Sequence, residues 1–192
     1  MRRLTDTLRP FTFIKAENIR TSTKMTILQS IKDEFNRRMY EEGVWRIISV
    51  LGMLNDDDVW YCPNNHANSI GHLILHLCGN VTQWIGSGLG GRPDLRDRDF
   101  EFHTTERLSK ESLISNLRGL RPMTDEALTI LQKDDDLLKF CSVQGYDETA
   151  LSIIIHVIEH FSYHTGQIAI IAKYLKDADL GFYAGQDLNA KS

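Results

Sequence analysis

The chain has 192 residues, 42% of them hydrophobic, which is enough for one sizeable core and short for two, so a single domain is expected. Net charge is −4, and the basic residues form no stripe interleaved with aromatics, which argues against a nucleic-acid partner. No apolar stretch approaches the ~20 residues needed to cross a bilayer. Cys62, Cys78 and Cys141 lie far apart without CxxC spacing, which fits reduced thiols in a cytoplasmic protein.

Residues 1–24 hold six Lys/Arg against Asp6 and Glu17, leaving −8 for the remainder. Richness in Arg and Thr is shared with transit peptides, but the apolar run of a secretory signal is missing. Met25 opens "MTILQSIKDEF", an amphipathic helix, so the plainer reading makes 1–24 an N-terminal extension and 25–192 one domain.

From Thr26 to Leu54, Ile27, Leu28, Ile31, Phe35, Met39, Trp45, Ile48 and Leu51 recur at helical spacing and predict the first long helix. "NDDDVWYCPNNHANS" then supplies turn residues, and Ser69 or Asn68 is the N-cap expected for a second helix from about Ile70 to about Gly86. "GSGLGGRPDLRDRDFEFHTTER" is glycine-rich, then charged, and reads as a long exposed loop, a kind of segment that is often functional. A third helix is expected from "SKES" to about Lys133, kinked or broken at Gly119 and Pro122. "DDDLLKFCSVQGYDET" carries a short extended segment at best, and the fourth helix runs from about Glu148 to about Lys176. Four amphipathic helices joined in this way predict a four-helix bundle.

The fourth helix contains "HVIEHFSYHTGQIAII", three histidines at four-residue intervals in an otherwise apolar pattern. With His160 at 0° and about 100° per residue, Ile153, Val157, Phe161, Ile168 and Ile171 fall at roughly 20° to 100° and His164 at about 40°. His160 and His164 therefore face the core, while His156 lies toward the edge at about −40°, beside Tyr163 and Gln167. The second helix offers His72 and His76 on the flank of its apolar stripe. A single core histidine usually has a hydrogen-bonded neighbour and nothing more. Two neutral imidazoles one turn apart in a dry interior have few partners, and a divalent cation satisfies both. A third histidine from the second helix completes a set with open positions, the pattern of catalytic metal sites. Cys78 reads as core filler, with a soft ligand as the rarer role, and Tyr163 and Gln167 stand where they can support a ligand. No Ser/His/Asp order or nucleophilic cysteine context suggests covalent catalysis.

"SIGHLILHLCGNVTQWI" followed far downstream by "HVIEHFSYHTGQI" resembles the DinB/YfiT-like superfamily, whose members carry a histidine on the second helix and an HxxxH ending in H-x-G-Q on the fourth. The resemblance covers most of residues 25–183, and "GLGGRPDLRDRDFEF" is similar to the loop of one subgroup. It implies an all-α four-helix bundle with long interhelical loops, a homodimer, and a divalent metal ion (nickel, zinc or iron) held by three histidines. Carried onto this sequence, those are His76, His160 and His164; the extra His72 and His156 depart from the pattern. Relatives include thiol transferases that use bacillithiol or mycothiol and a mycothiol-dependent isomerase. The implied function is transfer of a small-molecule thiol to a small electrophile. The alternatives are a non-catalytic metal-binding, dimeric stress-related bundle, or a metal-dependent hydrolase or isomerase.

Overall fold

The computed structural model describes residues 25–191, so the expectation for residues 1–24 falls outside the described residues. Among the described residues, four long helices make the bundle. The first, α1 (27–53), is α-helical over Ile27–Asn36, π-helical over Arg37–Val44 and α-helical again over Trp45–Met53. One turn, α2, spans Asp56–Val59. The second long helix, α3, runs as α-helix over Ile70–Val81 and continues as π-helix over Thr82–Leu89. A short helix α4 (Arg98–His103) lies in the following connection, and α5 spans Lys110–Leu128. A 3₁₀ turn (Asp134–Leu138) and a hairpin of β1 (Phe140–Val143) and β2 (Tyr146–Thr149) lead into α6, Ala150–Lys176.

Each long helix starts where a hydroxyl caps it. Thr26, Ser69, Ser109 and Thr149 each accept a hydrogen bond from the backbone N–H three residues on, satisfying one of the donors that a helix start leaves free. The apolar faces then meet in one core. Phe35, Met39, Ile47 and Leu51 of α1, Ile70, Leu73, Ile74 and Leu77 of α3, Leu113 and Leu117 of α5, and Ile153, Val157, Phe161 and Ile168 of α6 are all essentially inaccessible.

Three expectations need correction. Of the kink or break expected at Gly119 and Pro122, the break is not there: α5 runs through both, and Pro122 and Arg118 one turn earlier are on the exposed face, where the Arg118 carbonyl left without its N–H donor is open to solvent. The segment before α6 forms a paired hairpin, turned at Gln144 and Gly145, whose φ values of 52° and 81° suit a two-residue hairpin loop. The connection after α3 is not simply an exposed loop, since it folds α4 and buries Glu101 against the bundle.

The helices approach closely at Gly43, where an added Cβ would lie 2.8 Å from two ring atoms of Phe161. Gly43→Ala is expected to lower stability, because overpacking costs about 1–3 kcal/mol against the ~1 kcal/mol that alanine gains over glycine in a helix. Gly119→Ala, facing open space on α5, should instead raise the melting temperature. Thermal unfolding of the two variants checks both signs.

Candidate metal centre

His76 on α3 and His160 and His164 on α6 come together in the seam between those helices. His76 Nε2 lies 3.1 Å from His160 Nε2, which in turn lies 3.2 Å from His164 Nε2. Two nitrogens each about 2.0–2.1 Å from one zinc-like ion stand roughly 2.8–3.4 Å apart at bond angles between right and tetrahedral, so these two separations suit ligands of a single ion, and all three nitrogens lie within 4.8 Å of one another.

The outer nitrogens decide what the inner ones offer. His76 Nδ1–H donates to Glu101 Oε2 at 2.8 Å, and His164 Nδ1–H donates to Gln167 Oε1 at 2.6 Å. Each bond assigns the tautomer that leaves a lone pair on Nε2, directed at His160. One imidazole N–H on His160 can serve only one of two such lone pairs, whereas a cation serves all three. The donor set therefore fits a divalent metal ion.

Glu101 reaches His76 because of its own surroundings. Arg96 donates from Nε to Glu101 Oε1 at 2.7 Å and from Nη2 to Oε2 at 2.8 Å, a two-pronged grip, while Nη1 donates to Gln83 Oε1 at 2.8 Å. Arg96 Nη2 also stands 3.1 Å from His76 Nδ1, but the ionised carboxylate oxygen 2.8 Å from that nitrogen can only accept, so Nδ1 carries the proton. Burial pushes the Glu101 carboxyl up, yet the bonds from Arg96 and His76 outweigh it and hold the group below its ordinary range. Gly79 makes room for this pair: an added Cβ would fall 1.8 Å from Glu101 Oε1. Gly79→Ala is thus expected to displace Glu101 and weaken metal affinity by ~10 to 100-fold, the usual effect of losing a ligand's supporting group. A chelator competition titration measures it.

Sequence reasoning missed Glu101 and Arg96 altogether. The local signal was Asp97, which caps α4 through Phe100 N at 2.9 Å and so turns a charged stretch into a helix.

A scan of protein families finds residues 17–183 matched by the one described as "Protein of unknown function (DUF1572)". The chain belongs to the DUF1572 family. Among solved structures, a DinB-like protein from Bacillus cereus ATCC 10987 is similar at 18% identity with a TM-score of 0.58, over 74% of this chain and 91% of that one. The resemblance to DinB/YfiT-like bundles is thereby shown at the level of the fold. No curated protein matches the sequence. No helix among the described residues is long and apolar enough to cross a membrane.

In this DUF1572 chain the other candidates lie apart from the three converging nitrogens. His72 faces Ser69 Oγ at 3.0 Å and the Thr104 carbonyl at 3.3 Å and packs edge-on against Trp60, so both its ring nitrogens are engaged away from the cluster. His156 stacks on Trp84. Burial pushes the Cys78 thiol up to about 12, so it stays protonated. Tyr163 is exposed and its hydroxyl accepts from Gln167 Nε2 at 3.1 Å, which orients the amide that holds His164. A groove of about 680 Å³ between α1 and α6 is lined by Gly43, Arg46, Ser162, Tyr163 and Phe182 among others, and His76, His160 and His164 are not among its lining residues.

Burial, reinforced by the neighbouring imidazoles, brings His160 down to about 3, and burial also lowers His164 and His156. All three rings are therefore neutral at neutral pH. In the metal-free protein they resist protons that the unfolded chain takes up near an ordinary pKa of about 6.5. Their contribution to stability is therefore fully present above about pH 6.5 and is lost progressively as pH falls toward about 3. Urea unfolding of the metal-free protein between pH 7.5 and 4.5 should show a steadily falling midpoint, and His160→Phe should flatten that slope.

Proposed function

We propose that this chain is a metal-dependent enzyme that transfers a low-molecular-weight thiol to a small electrophile, with the ion held by Nε2 of His76, His160 and His164. The observation that carries the reading is the convergence of three imidazole nitrogens, two of them fixed from behind by Glu101 and Gln167, from only two helices. Three ligands of this kind leave positions open, as catalytic sites do.

When bound, a divalent ion supplies positive charge that neutral imidazoles do not cancel, and this lowers the pKa of a coordinating thiol. The protein keeps that charge undiminished. Arg96 balances the Glu101 carboxylate, so the pair adds no net charge beside His76. Tyr163, exposed one turn from Gln167 and accepting its amide hydrogen, retains its own O–H to donate to an incoming group. No protein base is needed to ionise the thiol, which is consistent with neutral, ligand-facing rings and a protonated Cys78.

The test is attack of several small thiols on a chloro-nitroarene or an epoxide, with and without chelator. Metal removal should abolish turnover, while Tyr163→Phe should retain most of it. Turnover that persists in the chelated protein, or in the His160→Ala/His164→Ala double variant, excludes this mechanism; metal uptake without turnover for any thiol favours a non-catalytic metal-binding bundle.

A further inference from the structure

The three clustered imidazoles are not held alike. His76 is anchored through Nδ1 to Glu101 and His164 through Nδ1 to Gln167, whereas His160 Nδ1 is buried and has no hydrogen-bond partner among the described residues. His160 is nevertheless the central ring, within 3.1 and 3.2 Å of the other two nitrogens. Its orientation must come from packing. One turn back on α6, the His156 ring lies nearly parallel to it, with centroids 5.6 Å apart and planes at 21°. His156 is itself pressed on Trp84 of α3 at 3.8 Å and 25°. Trp84 is almost completely buried, so the stack has a fixed base, and among the described residues the only polar contact of His156 is a long 3.5 Å approach to Asn80 Nδ2.

We propose that Trp84 and His156 are positioning residues for His160, holding its ring for the metal by aromatic stacking where its two companions use hydrogen bonds. A ring so held is aligned without a proton acceptor behind it. The His156–His160 spacing of 5.6 Å lies in the range that offset aromatic pairs favour, the closer Trp84–His156 pair is held by contact and burial, and supporting groups around a metal ligand commonly govern affinity. The stack also gives His156, the extra histidine of the α6 series, a role that requires a flat ring and no nitrogen.

This rests on the three-histidine metal reading, and the experiment separates the two. The full chain, with His156→Ala, His156→Phe and Trp84→Leu variants, is titrated with cobalt(II) against a competing chelator, with the visible absorption of the bound ion as a second readout. His156→Ala and Trp84→Leu should bind ~10 to 100-fold more weakly, with an altered spectrum. His156→Phe, which keeps the flat ring, should restore the parental spectrum and most of the affinity. Parental affinity in His156→Ala, or weakening in His156→Phe equal to that in His156→Ala, overturns the proposal. If His156→Ala does not fold, Trp84→Leu against His156→Phe decides on the same terms. A parent protein that takes up no cobalt at all overturns the ligand assignment instead.

Discussion

His160→Ala is expected to remove metal binding outright. The ring it deletes is the one to which both other Nε2 atoms are directed, at 3.1 and 3.2 Å. Its loss leaves two imidazoles, and the remaining nearby ring, His156, is stacked against Trp84 away from the converging nitrogens. The loss of affinity should therefore exceed the ~100-fold ceiling usual for groups that only support a ligand. His76→Ala and His164→Ala should do the same, whereas His72→Ala, whose ring is occupied by Ser69 and Thr104, should leave the metal in place. Equilibrium dialysis followed by elemental analysis measures this. Because His160 is neutral in the fold, its replacement should not unfold the metal-free protein, so the missing ion will be a property of the site and not of a collapsed chain.

Arg96→Ala is expected to destabilise the protein by about 3–5 kcal/mol, the scale seen when one partner of a buried ion pair is removed. Glu101 is 4% exposed, and among the described residues Arg96 is its only cationic partner, with the His76 imidazole N–H beside it. Deleting Arg96 therefore strands a charge, and the carboxylate will rise toward or above its ordinary pKa as burial goes unopposed. The single variant should be worse than Arg96→Met combined with Glu101→Leu, since an apolar pair strands nothing. Yet the double variant removes the acceptor behind His76, so it should recover stability without recovering metal affinity. Urea unfolding and metal titration on the same two proteins distinguish those outcomes. The single variant should regain part of its stability when Glu101 is also changed to Gln.

The bundle was legible because its helices are long and their apolar spacing holds over many turns. The phase of α6 placed His160 and His164 inward from the spacing alone, and the structure finds them facing α3. It did not choose between His72 and His76, which lie one turn apart on the same flank. Contacts from distant residues choose: Thr104 engages the first and Glu101 the second. Glu101 and Arg96 were invisible for a related reason. They sit in and before a six-residue helix, too short for periodicity, in a stretch whose charges are those of a solvated loop. Only the pocket left by Gly79 on another helix makes those charges internal. The π-helical turns at Arg37–Val44 and Thr82–Leu89 likewise leave no mark in an apolar pattern that tolerates a one-residue slip.

The most direct measurement is anomalous diffraction from crystals of the full chain grown with nickel or zinc. One peak per chain is expected, bonded to Nε2 of His76, His160 and His164, with Glu101 and Gln167 still on the outer nitrogens and at least one position filled by no protein atom. A metal peak elsewhere, no peak at the three imidazoles, or a fourth protein ligand closing the sphere would contradict an open three-histidine site.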